Sequence, residues 1–284
     1  MSESTIAFAS VAAVGLAPAA NVLTQGFSGY VVPIAITPTS LLATARSDSV
    51  DHTLSAVALR DGLPVGAALV ARRGWTVRVA GMAIVPSARR QGVARALMDH
   101  LISAARARGD RMMELEVIEQ NVPAVSLYED LGFTRIRRLM GHAGRPTAVP
   151  ATPDVDRALH EIDVCELARV VTIHGLADLP WQLSASTLVQ LGPPCVALRC
   201  GSSYALVSDP SAPAIGIRAL VTEPEQRRRG HALALLRALF ARHPDKEWRT
   251  SSIWPEDVAR VFARAGLSAS AITQWQMKKP LGPC

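Results

Sequence analysis

The chain has 284 residues, 49% of them hydrophobic, with a formal charge of +6 and a pI near 9.6. That length suits two ordinary domains of roughly 100–150 residues, and the basic balance favours an anionic partner without choosing among nucleic acid, a phosphorylated cofactor and a membrane surface. Few aromatics stand among the basic residues, which argues against a single-strand nucleic-acid platform, and no apolar run of about 18 residues predicts a membrane span.

From the N-terminus, "MSESTIAFASVAAVGLAPAA" has the apolar run of a secretory signal but a glutamate where such a signal carries lysine or arginine. It reads as a first strand and turn. "HTLSAVALRDGLPVGAALVARRGWTVRVAGMAIV", punctuated by Asp61-Gly62 and Arg73-Gly74, predicts three successive antiparallel strands. Val93, Ala94, Leu97, Leu101, Ile102 and Ala105 then form a helical stripe between Gln91 and Arg108, closed by Gly109. A strand "RMMELEVI", a short helix "VPAVSLYEDLG" opened by Asn121, and a strand "FTRIRRLM" complete the first half.

Gly141 to Asp154, "GHAGRPTAVPATPD", lacks periodicity and is the expected linker. Beyond it the order returns: strands at "CVALRC", "SYALVS" and "AIGIRALV", a helix to about Arg242, a strand "WRTSSIW", a helix "EDVARVFARAG" and a strand "ASAITQWQMKK". Similar lead-in segments, "VPIAITPTSL" and "LPWQLSASTL", precede the two meanders. At the same place in each half stands one phrase, "RRQGVARAL" from Arg89 and "RRRGHALAL" from Arg227. The chain therefore reads as a tandem duplication, with domains expected at residues 1–145 and 153–284. Cys165, Cys195, Cys200 and Cys284 show no Cys-x-x-Cys spacing or nearby histidine pair, so no metal is expected and a reduced, cytoplasmic protein is the plain reading.

A strand that runs through a tight arginine-glycine turn into a helix leaves unpaired N–H groups at the helix start, which is an anion site. Gly92 lets the backbone approach a phosphate, Ala94 keeps the first turn uncluttered, and Arg89 and Arg90 add charge. The helix dipole alone contributes roughly 0.3–1 kcal/mol, so affinity requires several N–H groups and a guanidinium together.

The stretch from Met82 to Phe133 resembles the GNAT superfamily of acyl-CoA-dependent N-acetyltransferases. The matching elements are Met82-Ala83-Ile84, Pro86, the Arg-x-x-Gly-x-Ala turn at Arg89, Gly92 and Ala94, the strand "LEV", Asn121, Tyr128 and "LGF" at Leu131 to Phe133. The resemblance implies an α/β (α+β) fold of two tandem GNAT-like domains, each a mixed, mostly antiparallel sheet flanked by helices. It implies acetyl-CoA as co-substrate, held at its pyrophosphate by the main chain of Arg89, Arg90, Gln91, Gly92, Val93 and Ala94. The backbone of Met82, Ala83 and Ile84 would bond the pantetheine arm and polarise the thioester. Asn121 would reach the same arm, or simply cap its helix.

Direct transfer to an amine needs a neutral amine, an oxyanion donor and a proton for the departing thiolate. Tyr128 sits where the family places its general acid, or is an aromatic packing on the sheet. Glu116, in the "LEV" segment, matches the base of some protein-acetylating members, or is an ordinary exposed strand carboxylate; Glu119 is the reserve. His100 and His231 read as surface or capping residues. The segment "FSGYVVP", Phe27 to Pro33, is either substrate-facing or a loop anchor. In the second half the positions of Glu116, Asn121 and Tyr128 hold Thr250, Pro255 and Phe262, so that half is expected to be catalytically degenerate. The implied activity is acetyl transfer to a primary amine of a small molecule or peptide, without nucleic-acid or membrane partner. The alternative is a non-catalytic protein that binds and senses acyl-CoA.

Overall fold

The computed structural model describes residues 6–31, 34–146 and 159–282. Residues 1–5, Val32 and Pro33 of the aromatic segment, residues 147–154 of the expected linker and Cys284 lie outside the described residues.

The chain divides into two compact units. Unit 1 comprises Met1–Val117, Val122–Ile136 and Met277–Cys284, and unit 2 comprises Ile118–Asn121 and Arg137–Gln276. These units cross the expected boundaries of 1–145 and 153–284, because each takes its penultimate strand from the other half of the sequence. A strand pattern identifies a strand but not the neighbour it bonds.

In unit 1 the elements run β1 (Ile6–Ser10), α1 (Val11–Val14), α2 (Leu16–Gly26), α3 (Pro38–Asp48), β2 (Ala56–Arg60), β3 (Leu63–Arg73), β4 (Thr76–Ile84), α4 (Val93–Ala107), β5 (Met112–Ile118), α5 (Val122–Asp130) and the start of β6 (Thr134–Gly144). The sheet order is β1-β2-β3-β4-β5, then residues 277–280 of the last strand, then β6. Pairing is antiparallel from β1 to β4 and parallel between β4 and β5. Helix α4 buries Val93, Leu97, Met98, Leu101, Ile102 and Ala105, the three- and four-residue spacing of one helix face.

Helices α2 and α3 replace what the sequence presents as turn and lead-in. Helix α3 starts with a reciprocal cap, in which the Thr37 side chain accepts from the Ser40 N–H and Ser40 Oγ accepts from the Thr37 N–H, with Pro38 in the first turn. Its single buried residue is Leu41, so it has no apolar stripe to read. Helix α2 approaches β4 so closely that a Cβ on Gly26 would lie 2.6 Å from the Cβ of Ala83. Glycine at the end of α2 is therefore a packing requirement.

Unit 2 repeats the order with β7 (Leu159–Ile162), α6 (Val164–His174), α7 (Ala185–Leu188), β8 (Val196–Cys200), β9 (Ser203–Val207), β10 (Ala214–Thr222), α8 (His231–Arg242), β11 (Glu247–Pro255), α9 (Glu256–Arg264), β12 (Ser268–Ala269) and the beginning of β13 (Gln274–Pro280). Its sheet reads β7-β8-β9-β10-β11, then residues 137–144 of β6, then β12. The expected strand "ASAITQWQMKK" is broken at Ser270, whose N–H turns to the Gly141 carbonyl at 2.8 Å.

Two cores cover the faces of the second sheet, and strand alternation sorts residues between them. Ala205 and Val207 join Leu235, Leu239 and Trp248 on one side, while Tyr204 and Leu206 join Leu167 and Val171 on the other. In β10, Ile215 and Ile217 belong to the first core, yet Ala219 and Val221 belong to the second. The register shift between Ile217 and Ala219 explains the exchange, since one extra residue in a strand turns all that comes after it to the opposite face.

Among the described residues no helix is long and apolar enough to cross a membrane. Nor do they contain a group of three or more His, Cys, Asp or Glu able to hold a metal ion.

Candidate active site

The first candidate site begins with a register shift in the meander of unit 1. Leu69 pairs with Gly81 but the next residue, Val70, pairs with Val79, so Ala80 is an extra residue in β4. Before it, β4 pairs in parallel with β5 from Thr76↔Met112 to Val79↔Leu115, and there the pairing stops. Beyond the bulge β4 stays bonded to β3 as far as Ile84↔Gly66 but has left β5. A notch opens between the two strands, one arm formed by Met82, Ala83 and Ile84 and the other by Glu116 onward. The polar backbone edge of Met82 to Ile84 that faces β5 is thus released from the ladder, leaving donors and acceptors for another group.

The arm of β4 leads through a short 3₁₀ turn, Pro86–Ala88, to the start of α4. Arg90 and Gly92 both take the left-handed conformation, with φ of 63° and 78°. Gly92 is the N-cap residue and supplies no side chain to the helix start, where the first intrahelical bond runs from the Ala96 N–H to the Gly92 carbonyl. The Arg89 N–H donates back to the Pro86 carbonyl at 3.3 Å, and the N–H groups that open the helix point beyond it. A Cβ on Gly92 would meet nothing within 4 Å, so the space above the turn is open.

The side chains of this turn have work of their own. Arg89 donates from Nε to the Ile84 carbonyl at 3.2 Å and from Nη2 to the carbonyls of Gly26 and Ser28 at 2.9 and 3.2 Å. Rather than adding a free charge, its guanidinium ties the end of α2 to the turn. Gln91 donates to the Ser87 carbonyl at 2.8 Å and accepts from Arg60. Val93 is buried under the first turn of α4 and Ala94 is half-buried.

Glu116 is the first residue of β5 past the paired stretch, at the vertex of the notch. Its side chain is 4% exposed and its Oε2 accepts from Arg78 Nε at 2.7 Å, with Arg78 itself 5% exposed. An ordinary exposed carboxylate is therefore not what stands here. The other oxygen, Oε1, is buried and has no partner among the described residues. Glu119 belongs to unit 2, where it accepts from Arg138 and Thr273 at 2.7 and 2.5 Å.

Removing one member of a buried ion pair leaves the other charge uncompensated, which costs about 3–5 kcal/mol. Glu116→Ala is therefore expected to lower unfolding stability by about that amount. Arg78→Met with Glu116→Leu should recover most of it in urea unfolding; a single variant as stable as the parent would show that the pair is not held closed.

Tyr128 lies in α5 with 7% of its surface exposed and its ring packed edge-on against Phe133 at 5.8 Å. Burial, with a smaller contribution from Tyr30, pushes the phenol above its ordinary value. It stays neutral and protonated at physiological pH. Asn121 directly precedes α5, and its N–H donates to the Ile118 carbonyl at 2.9 Å. His100 stacks on Phe8 at 4.4 Å, a packing contact.

Unit 2 repeats the backbone but not the side chains. Parallel pairing of β10 with β11 ends at Gly216↔Arg249, next to the bulge, which makes Thr250 the counterpart of Glu116. Arg228 and Gly230 have φ of 61° and 88°, and Arg227 donates to the carbonyls of Thr222 and His174 as Arg89 does to those of Ile84 and Gly26. Thr250 Oγ1 accepts from the His142 N–H at 2.8 Å. Phe262, seventh in α9 as Tyr128 is in α5, is fully buried against Trp254 at 4.8 Å. Pro255 gives α9 no side-chain cap.

The acetyltransferase (GNAT) family pattern matches residues 30–133. Over 107 residues the chain is 29% identical to the catalytic subunit naa20 of the N-terminal acetyltransferase B complex of Schizosaccharomyces pombe, covering 38% of this chain and 56% of that protein. Over 59 residues it is 46% identical to the ribosomal protein bS18 alanine N-acetyltransferase of Escherichia coli, covering 20% and 40%. The chain thus spans about half the length of the curated relatives it matches. Among solved structures, a GCN5-related N-acetyltransferase of Sphaerobacter thermophilus has a TM-score of 0.70 at 15% identity, covering 98% of this chain and 96% of that one. A tandem GNAT protein of the clavulanic acid biosynthesis pathway has a TM-score of 0.67 at 18% identity, covering 99% and 100%. The fold is that of two tandem GNAT-like domains, each a mixed sheet flanked by helices.

Proposed function

We propose, on the match of residues 30–133 to the GNAT family pattern, that unit 1 transfers an acetyl group from acetyl-CoA to a primary amine of a peptide or small molecule. The observation that carries this reading is the notch between β4 and β5, which runs along Met82 to Ile84 and ends on the uncapped start of α4 at Gly92. Released backbone groups suit an arm rich in amides, and helix N–H groups suit a pyrophosphate. Arg90, Gln91, Gly92, Val93 and Ala94 form that cradle through their main chain, while the Arg89 N–H bonds the Pro86 carbonyl at 3.3 Å.

In this proposal the amine, in its neutral form, attacks the thioester carbonyl. The new N–C bond forms as the C–S bond breaks, and Tyr128 gives its proton to the departing thiolate. Glu116 accepts a proton from the nitrogen, through water, at Oε1, the oxygen not bonded to Arg78. The relatives named as an N-terminal acetyltransferase subunit and as a ribosomal protein alanine N-acetyltransferase support a peptide amine, while a streptothricin acetyltransferase of Streptomyces lavendulae, 35% identical over 91 residues, supports a small one.

The test is incubation with acetyl-CoA and a panel of peptide and small-molecule amines, with thiol release and product mass followed together. Equimolar thiol and acetylated amine are expected for at least one class. Saturable acetyl-CoA binding without thiol release across the panel would leave the sensing alternative in its place.

A further inference from the structure

Arg78 precedes the stretch from Met82 that carries the family resemblance. It pairs with Glu114 in the parallel ladder of β4 and β5, one rung before that ladder stops at Val79↔Leu115. Glu116 is two residues beyond Glu114, so its side chain leaves β5 on the same face as that of Arg78. A long side chain reaches such a diagonal neighbour. Arg78 Nε donates to Glu116 Oε2 at 2.7 Å, and the bond ties the end of the ladder to the first residue of the notch.

Burial drives a carboxyl group towards its neutral form, and an adjoining guanidinium opposes that. Glu116 has little else to keep it charged, since its side chain is 4% exposed and Oε1 has no donor among the described residues. The other charges of unit 1 near this face are engaged elsewhere. Arg73, the last residue of β3, stands in the field of Glu114 and of Asp48 at the end of α3, while Arg46 of α3 is exposed. Helix α2, which packs on β3 and β4, carries no titratable side chain. In α5, Glu129 pairs with Arg135 and Asp130 with Arg95, and the raised phenol of Tyr128 is neutral. The last strand carries Lys278 and Lys279, and the ammonium of Lys279 lies 2.9 Å from where a Cβ on Gly132 would stand.

We propose that Arg78 is a positioning residue for acetyl transfer, whose guanidinium keeps Glu116 ionised at neutral pH and holds Oε2, so that Oε1 is the oxygen that receives the amine proton. The proposal rests on the reading of Glu116 as the base of unit 1. Arg78 itself neither gives nor takes a proton. The proton passes from the attacking nitrogen through water to Oε1 and is lost to solvent after product leaves.

The experiment is carbon-13 carboxyl NMR of the glutamate-labelled full chain, with the Glu116 resonance assigned by its loss in Glu116→Gln, alongside kcat and KM measured against pH. At pH 7 the parent resonance should be that of a carboxylate and the Arg78→Met resonance that of a carboxylic acid, with ionisation displaced upward by about 1–3 pH units. In Arg78→Met, kcat at pH 7 should fall on the order of 100-fold, KM for acetyl-CoA should change little, and the ratio of its kcat to the parent's should climb with pH. Arg78→Lys, which restores the charge, should recover most of both signals. Adding Arg78→Met to Glu116→Gln should cost little further turnover, because the arginine acts through the carboxylate. If Arg78→Met does not fold, Arg78→Gln keeps a donor for Oε2 without the charge and should show the same displacement. A neutral Glu116 in the parent at pH 7, the same ionisation in parent and variant, or a kcat ratio flat with pH would overturn the proposal. Normal turnover by Glu116→Gln, or none by the parent with any amine, removes the reading on which it rests; undiminished kcat in Arg78→Met with Glu116 neutral removes the proposal alone.

Discussion

Gly92→Asp is expected to abolish coenzyme binding by unit 1 and acetyl transfer with it, whereas Gly230→Asp should leave turnover largely intact. Both glycines are helix N-caps in the left-handed conformation, and a Cβ at either meets nothing within 4 Å. Aspartate is among the few residues that tolerate this backbone, so the new carboxylate enters open space and the fold survives. That space is where the proposal places phosphate, and like charges in contact on a helix start cancel the attraction the turn provides. The asymmetry comes from the residues downstream of each turn, Glu116 and Tyr128 in unit 1 and Thr250 and Phe262 in unit 2. Acetyl-CoA titration and steady-state turnover, each normalised to folded protein, give the comparison. If a well-folded Gly230→Asp chain loses turnover as completely as Gly92→Asp, the division of labour is wrong.

Tyr128→Phe should lower turnover by roughly 10²–10⁴-fold, the usual reach of general-acid catalysis. The substitution keeps the ring that packs on Phe133 and deletes only the proton, so stability should change little. Because burial raises the phenol above its ordinary value, its working form is the neutral acid, retained as pH rises until the raised value is passed. The parent enzyme should therefore show no fall in kcat assignable to Tyr128 below about pH 10. Normal turnover of the Phe variant with the acetylated substrate would make Tyr128 a packing residue.

Much of this was legible in the sequence because it rests on local rules. The stripe of α4, the Asp61-Gly62 hairpin and the paired arginine-glycine phrases each carry their own signal within a dozen residues. The short helices α2 and α3 were harder to read, since the buried face of α2, Ala19, Val22, Leu23 and Gly26, is mostly small residues and α3, despite its cap at Thr37, buries one leucine. The surroundings of the candidate residues were hidden for a different reason. The Arg78–Glu116 pair and the bonds of Arg89 to Gly26 join positions 38 and 63 residues apart, and no periodicity encodes which strand faces which. The bulge at Ala80 is likewise a property of two strands together.

The origin of each unit's penultimate strand bears on why a half with phenylalanine in the place of Tyr128 should persist at all. Unit 1 includes Met277–Cys284, and unit 2 includes residues from Arg137 onward that precede the linker. A gene shortened after residue 145 would encode a first unit missing a strand beside β5, and with it the Leu281 N–H bonded to the Arg111 carbonyl. Selection on the first half therefore protects the tail of the second, whatever ligand the second retains. Once such an exchange of strands is fixed after a duplication, the pair is inherited as one object, and mutations are free to remove chemistry from one member but not the member itself.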